Sequence, residues 1–562
     1  MNFRFRPLVL VFLSFVMLAI CGCTSPEKFK QQADKEVYKI IDQKWQDKFG
    51  NKANYKVGDA EPNSLQISQM IPPDGALSLR DAVAIATKFS REYQSQKESL
   101  YLSVLNLTLT RYQYAWQWLG TIDFEYTRTY NDSTKSEDDA AIGSSGGVNK
   151  TTLLASGVQI GTSLAVDWAR FLTGDPQNTL ASVLSATVTA PILGAGAGRA
   201  AVENLTQAER DVLYDIRLFN RYRQTFVSSI VSAYYDVLLQ KERVNINEAS
   251  YRRLIESTRQ LQMEVEVVQR PQYDADEAEQ RLLSSENNLI SARQSYEQAL
   301  DRFKIRLALP TDANLTLDQD ELKALEAVEI TQPDYTEEEA IEVALTQRLD
   351  IINTRDELVD AARKLELAAD GLGLQLNLTA GLDAASRPQQ DFSQIQFHEG
   401  IYSLALDADL PLNRKAERNA YRRALITMQQ RKRSYEESVD QIKLSVRQAY
   451  RDLSETAESY RIQKIGLELA LKRLDREKLL LEYGRGTVRL LLESEDAIVL
   501  AQNSVTTALV NHMVTKLNFF RDIGVLQVKP DGMWEQGNNY EKSEKKLGFE
   551  DSAPESAGVR AQ

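Results

Sequence analysis

The chain has 562 residues, 26% of them charged, with a formal net charge of -13; that balance disfavours a nucleic-acid partner, which needs a basic footprint. Hydrophobic residues make up 43%, as in globular proteins, so wholesale disorder is excluded. Only Cys21 and Cys23 are cysteines, so beyond them the chain has no disulfide to rely on and its stability must come from packing.

Arg4 and Arg6 form a short basic start, and residues 8–20 are an apolar run of signal-peptide length, too short for a comfortable membrane helix. The run ends in Ile20-Cys21-Gly22-Cys23, which resembles a bacterial lipobox. Gly22 supplies the small residue before Cys23, whereas Ile20 does not suit Cys21. Residues 1–22 are therefore expected to be a lipoprotein signal peptide and Cys23 the lipidated N-terminus. The alternative is an ordinary signal peptide with two incidental cysteines. Thr24 is not the aspartate that sorting rules associate with the inner membrane, which favours the outer one. Residues 23–76 read as a periplasmic segment with a helix at 27–49.

Internal similarity follows. Asp81-Ala82-Val83-Ala84-Ile85-Ala86 reads like Glu339-Ala340-Ile341-Glu342-Val343-Ala344 at an offset of 258. Thr187-Val188-Thr189-Ala190-Pro191-Ile192-Leu193 reads like Asp407-Ala408-Asp409-Leu410-Pro411-Leu412-Asn413 at an offset of 220. A weaker pairing sets residues 274–278 against 490–494 at an offset of 216. Two repeats are expected, 77–309 and 336–529, joined by a linker at 310–335. The falling offset places an insertion in the first repeat, at 133–181, whose Gly, Ser, Thr and Asp content reads as a long loop, with room for a strand around 159–167.

Each repeat is expected to run helix, strand, loop, strand and then very long helices: 77–119 and 200–309 in the first, 336–369 and 415–523 in the second. Leu213, Ile216, Val227, Ile230, Tyr234 and Val237 recur at three- and four-residue steps or their multiples, a narrow stripe of coiled-coil type. Four segments alternate instead, near 121–131, 182–192, 374–382 and 401–410. In the first, Ile122, Phe124 and Tyr126 oppose Asp123, Glu125 and Thr127; in the last, Tyr402, Leu404 and Leu406 oppose Ser403 and Asp407. Their lengths suit transmembrane β-strands, with Trp116, Trp118, Tyr126, Tyr130 and Trp168 as interfacial aromatics. Periodicity alone equally suits a half-buried soluble sheet. If the strands span lipid, every backbone polar group must be paired, and four strands cannot close a barrel, so several copies must share one.

These residues resemble the TolC-like outer-membrane efflux protein family, over roughly 77–528. The resemblance is carried by Pro191-Ile192-Leu193-Gly194-Ala195-Gly196, a strand leading into the first long helix; by Leu410-Pro411-Leu412-Asn413-Arg414, the second such junction; and by Tyr483-Gly484-Arg485-Gly486-Thr487 with Leu490-Leu491-Leu492-Glu493-Ser494, the restart of the final helix. Pro191 and Pro411 lack a backbone donor and end the strands, Gly194 and Gly196 let the chain swerve, and Gly484 and Gly486 break the helical run before Thr487.

The resemblance implies a mainly α protein with membrane β-structure. Each repeat of long antiparallel coiled-coil helices would contribute a β-hairpin to a shared, trimeric, twelve-stranded barrel. It implies an outer-membrane, lipid-anchored channel subunit whose homotrimer is an exit duct for efflux or type I secretion. Its partners would be a periplasmic adaptor of the membrane fusion type and an inner-membrane RND or ABC transporter. The other reading, from a different class, is a periplasmic coiled-coil lipoprotein acting as scaffold or adaptor without a pore. The tail at 530–562 is polar and expected to be disordered.

Catalysis has no purchase. Gly143-Ser144-Ser145-Gly146-Gly147 has the spacing of a nucleophile elbow but lies in a polar stretch, and the only histidines are His398 and His512. No cofactor, metal set or enzymatic activity is expected. Helix hairpins need turning points, expected mid-run near 241–250 and 455–466. Glu242, Glu248, Glu455 and Glu458 would then be acidic residues near the tunnel tip, where the family closes its duct; ordinary solvated glutamates are the plainer reading.

Overall fold

The computed structural model describes residues 25–46, 49, 51–52, 54–58, 76–131, 136–154, 156–171, 178–193, 197–267, 270–327, 335–387, 394–409, 413–529 and 533–536. Helix α1 (Pro26–Lys44) starts on a proline, whose missing N–H costs nothing in a first turn. It buries Val37, Ile40 and Ile41. The two-residue strand β1 (Ala76–Leu77) leads into α2 (Leu79–Phe89), whose N-cap Ser78 accepts a hydrogen bond from the Asp81 N–H. Ser90 separates α2 from α3 (Arg91–Tyr114).

Four long strands follow: β2 (Gln117–Asn131), β3 (Ser136–Leu153), β4 (Gln159–Phe171) and β5 (Asn178–Leu193). The chain then enters α4 (Ala197–Glu266), a 70-residue helix about 105 Å long at the standard rise. Helix α5 (Gln272–Arg306) runs back along its lower half. Strand β6 (Thr316–Leu317) pairs in parallel with β1, and α6 (Asp320–Ala327) follows, so the stretch expected to be a linker carries two elements.

The second half repeats the order without the extra strands. Helix α7 (Glu337–Gln347) opens on a complete capping box of Thr336 and Glu339, and α8 (Leu349–Asp370) continues it. Strands β7 (Gln375–Ala385) and β8 (Ile401–Asp409) precede α9 (Lys415–Glu482), of 68 residues, and α10 (Val488–Asp522). Short strands β9 (Leu526–Val528) and β10 (Trp534–Gln536) pair antiparallel, placing ordered structure inside the segment expected to be a disordered tail; the rest of that tail lies outside the described residues.

The main core joins α1, α2, α3 and the middle of α4 around Tyr93, Leu107, Ile216, Ile230 and Tyr234; a second joins α7, α8, α9 and α10 around Val343, Ile442, Val446 and Phe519. Nearly all of the stripe anticipated on α4 is interior: Ile216, Val227, Ile230, Tyr234 and Val237 are all buried.

The fold departs from expectation in two places. The insertion at 133–181 is not a loop: it forms all of β3 and β4 and the first residues of β5, because its small residues pack edge to edge between β2 and β5. The sheet therefore has six strands, in the order β2-β3-β4-β5-β7-β8, four from the first half and two from the second, not one hairpin from each. Nor do the helices fold at mid-run. Residues 241–250 and 455–466 lie inside α4 and α9; α4 ends only at Glu266, with α5 starting at Gln272, and the second turn comes at 483–487. The upper half of each long helix is already covered, α4 by α3 and α9 by α8, so only the lower half needs a returning partner.

Candidate functional site

The six-stranded sheet has two chemically distinct faces. Register carries the alternation of each strand onto the next. Ile122 lies opposite Gly146, which faces Val166, which faces Ser182; Phe124, Ser144, Trp168 and Leu180 form the next row. The apolar face runs on through Leu184, Val188, Leu378, Leu382, Tyr402, Leu404 and Leu406. It is uncovered: Phe124 is 79% exposed and Leu404 75%. An open apolar face spanning six strands is far larger than a monomeric soluble protein leaves to water.

The opposite face carries Thr121, Asp123, Glu125, Ser145, Asn149, Ser163, Asp167, Ser185, Thr187, Thr189, Asn377, Thr379, Asp383, Ser403 and Asp407. Among the described residues, every charge on it is a carboxylate.

Aromatics mark both ends of the apolar face. At the helical end, the Lys150 ammonium lies 4.3 Å from the ring centre of Trp116 and 4.6 Å from that of Trp118. At the far end stand Tyr126, Trp168 and Tyr402. Trp118 and Tyr126 are about 26 Å apart along β2, or about 20 Å in height on a strand tilted by about 40°. The side chain of Tyr130 lies outside the described residues.

The helices beneath follow the order of the strands they feed. α3, α4, α8 and α9 lie side by side, joined to β2, β5, β7 and β8 respectively. Lower down, α5 packs on α4, α4 on α10 and α10 on α9. Each end of this array is open: β2 with α3 and α5 on one side, β8 with α9 on the other. Helix α9 presents Ile462, Ile465 and Leu469 to solvent at three- and four-residue steps, and α5 presents Leu283 and Ile290.

Under the sheet, α4 and α8 are laced by charge. Asp360, only 5% exposed at its side chain, accepts from the Tyr214 hydroxyl at 2.6 Å and from Arg363 at 2.9 Å, and pairs with Arg210 at 2.5 Å. Burial and the adjacent Asp360 raise the Tyr214 phenol. Arg217 donates to Asp356 at 2.6 Å and to Asn353 at 3.0 Å.

At the lower end, the two helical hairpins are joined by Arg253–Glu495 at 3.0 Å and Arg281–Asp496 at 2.7 Å, over a small core of Leu254, Leu261, Ala278, Val488 and Leu492. The turn at 483–487 holds the motif expected to restart a helix, and it is the hairpin bend itself. Arg485 and Gly486 both donate to the Leu480 carbonyl at 2.8 Å, Gly484 takes φ +67, and Thr487 caps α10 by accepting from the Leu490 N–H. A Cβ on Gly486 would sit 2.8 Å from the Leu481 nitrogen, so no side chain fits there.

The four glutamates expected near the tip are elsewhere. Glu242 and Glu248 lie about 27–36 Å up α4 from its lower end, and Glu455 and Glu458 about 36–41 Å up α9. Glu248 pairs with Arg252 at 2.5 Å and Glu458 with Arg461 at 2.5 Å, both on the surface. Pro191 stands near the end of β5 at a shift in register with β7, while Cys23, Gly194, Gly196 and Pro411 lie outside the described residues. Gly143-Ser144-Ser145-Gly146-Gly147 sits in mid-strand on β3, not at a strand-to-helix turn, so it has no elbow geometry.

Solved structures match this arrangement over most of its length. The chain superposes on the CusC transmembrane channel with a TM-score of 0.58 at 14% identity, covering 79% of this chain and 92% of CusC. This is the fold of the TolC-like outer-membrane channels. The CmeC outer membrane channel of Campylobacter jejuni matches with a TM-score of 0.55 at 13% identity, over 87% of this chain and 92% of CmeC. The open-state MtrE outer membrane channel of Neisseria gonorrhoeae matches with a TM-score of 0.57 at 14% identity, over 79% and 88%. No protein-family profile and no curated sequence matches the chain. Among the described residues, no helix is long and apolar enough to cross a membrane, which says nothing against a β-barrel.

Proposed function

We propose that the chain is the repeating subunit of an outer-membrane efflux duct. The carrying observation is a two-faced sheet open at both edges, set on helices in the same lateral order and open on the same two sides. In lipid an unpaired strand edge is untenable, so β8 of one copy pairs with β2 of the next until the ring closes. The apolar face turns to the bilayer and the carboxylate-bearing face to water. Helices α3, α4, α8 and α9 carry the duct on into the periplasm. Ile462, Ile465 and Leu469 of α9 meet Leu283 and Ile290 on α5 of the neighbour: the first three lie about 20–30 Å above the lower end of their helix, the other two about 16–27 Å.

Three copies is the number the fold family implies. A periplasmic adaptor would dock on the lower hairpin turns, and an RND or ABC transporter in the inner membrane would supply the energy. Cys23 would carry the lipid. The duct itself performs no chemistry.

The test is purification from outer-membrane fractions of a chain with Ile290→Cys and Ile465→Cys. A cross-linked ladder ending at one closed oligomer, together with step conductances in planar bilayers, is expected. A monomer that never conducts would end this reading and favour the poreless scaffold.

A further inference from the structure

The hairpin of β3 and β4 is built into the helical base, not merely draped on the sheet edge. Its lower turn, residues 154–158, is closed by Leu154 N–H donating to the Val158 carbonyl and Gly157 N–H donating to the Leu154 carbonyl, both at 2.8 Å. Thr152 donates its hydroxyl to the carbonyl of Tyr114, the last residue of α3, at 3.1 Å. On the other side, a Cβ on Gly198, in the first turn of α4, would lie 3.0 Å from the Ser156 carbonyl oxygen. The turn therefore sits between the end of α3 and the start of α4, and both faces of the hairpin continue the faces of the sheet row by row.

Counted with the hairpin, the sheet is about as wide as the helical layer beneath it. Strands about 4.8 Å apart and tilted by about 40° each occupy about 6.3 Å of a barrel's rim. Six take up about 38 Å per copy and four about 25 Å. The four helices that meet the sheet, at about 9 Å each, need about 36 Å. The agreement holds for any number of copies in the ring.

We propose that the β3–β4 hairpin is a structural part of the barrel wall, so that each copy gives six strands and a three-copy ring has eighteen. The partner surface is a second copy of this chain, β8 against β2. The bore is then about 36 Å across between strand axes, where twelve strands would enclose about 24 Å. The membrane part imposes no neck on the duct, and any selection by size falls to the helical end. The inference rests on the duct reading above.

Because the chain beyond Cys23 has no cysteine, introduced pairs report cleanly. Asp123 and Ser145 face each other across β2 and β3, whereas Ala181 lies three strands from Asp123 in the same row, about 14 Å away. In native outer membranes, Asp123→Cys with Ser145→Cys is expected to form an intrachain disulfide in most molecules, and Asp123→Cys with Ala181→Cys in almost none. Folding of each variant is read from its heat-modifiable oligomer.

A separate series joins Leu404→Cys with Gly120→Cys, Ile122→Cys or Phe124→Cys, and an interchain bond in at least one of the three is expected. If these interchain bonds form but the 123–181 bond replaces the 123–145 bond, or neither intrachain bond appears, the hairpin is outside the wall and the proposal is overturned. If no interchain bond forms at any of the three positions, the shared barrel itself fails, which is a different result. Strand counting in an electron-microscopic reconstruction of the intact oligomer decides the same question independently: eighteen supports the proposal and twelve overturns it.

Discussion

Arg363 grips Glu203 with a two-point fork, Nε to Oε2 at 2.8 Å and Nη2 to Oε1 at 3.0 Å. Glu203 belongs to the second turn of α4 and Arg363 to the upper part of α8, so the pair ties the helices joined to β5 and β7 just below the strand pairing that links the two halves of the sheet. The same guanidinium reaches Asp360, and both carboxylates hold its pKa above the usual arginine value.

Arg363→Ala is expected to destabilise the protein by about 2–3 kcal/mol, because two largely buried carboxylates lose a partner at once. Arg363→Lys keeps the charge but not the fork and should recover only part of that. Thermal unfolding of the detergent-solubilised oligomer checks the order wild type, Lys, Ala; an Ala variant as stable as wild type would show the strap to be dispensable.

Lys97 is only 6% exposed in the core against the Tyr93 ring, and burial lowers its pKa to about 8. The unfolded chain binds this proton more tightly than the folded one. Between about pH 8 and 10.5, stability should therefore rise with pH, and below about pH 8 the full penalty applies. Lys97→Met should stabilise the protein at pH 7 by about 2 kcal/mol, and the advantage should shrink above pH 10. Melting curves at both pH values test the sign; an advantage independent of pH would point to packing alone.

Gly486→Ala should disrupt the lower turn, since the added carbon meets backbone at 2.8–3.1 Å, not a movable side chain. New protease cleavage near 483–487, with the sheet and upper helices intact, is the expected result. Thr487→Ala should cost less, about 1 kcal/mol for a lost N-cap.

The inward face carries Asp123, Glu125, Asp167, Asp383 and Asp407, and no cation among its described residues. Repeated around a ring, such carboxylates favour cations. Reversal potentials across a salt gradient should show cation preference, and Asp123→Asn with Asp407→Asn should reduce the permeability ratio by about two-fold or more. An unaltered ratio would place the selective element in the helices.

Much of the fold could be read from single strands and helices. β2 declared itself because bulky Ile122, Phe124 and Tyr126 alternate with Asp123, Glu125 and Thr127. β3 did not, because its apolar face reads Val148, Gly146 and Ser144: too small to pattern alone, yet suited to lie beside large residues on β2 and β4. The lower turns were misplaced for a similar reason. Symmetric folding of each run assumes that a long helix has one partner, whereas α4 is covered above by α3 and below by α5. A local signal was present in Arg270-Pro271, since the residue before a proline resists helical geometry.

Lys150, wedged against Trp116 and Trp118, has a consequence for how the proposed duct would sit in a bilayer. An ammonium sandwiched by indoles cannot sink into hydrocarbon without losing its water, nor can the indoles rise far from the headgroups. In the proposed duct that rim would be a fixed waterline. A thicker or thinner bilayer would be met at the opposite shore, where β2 and β3 run several residues past Tyr126 and Ile142, so the periplasmic draught of the vessel would stay constant whatever membrane it sails in.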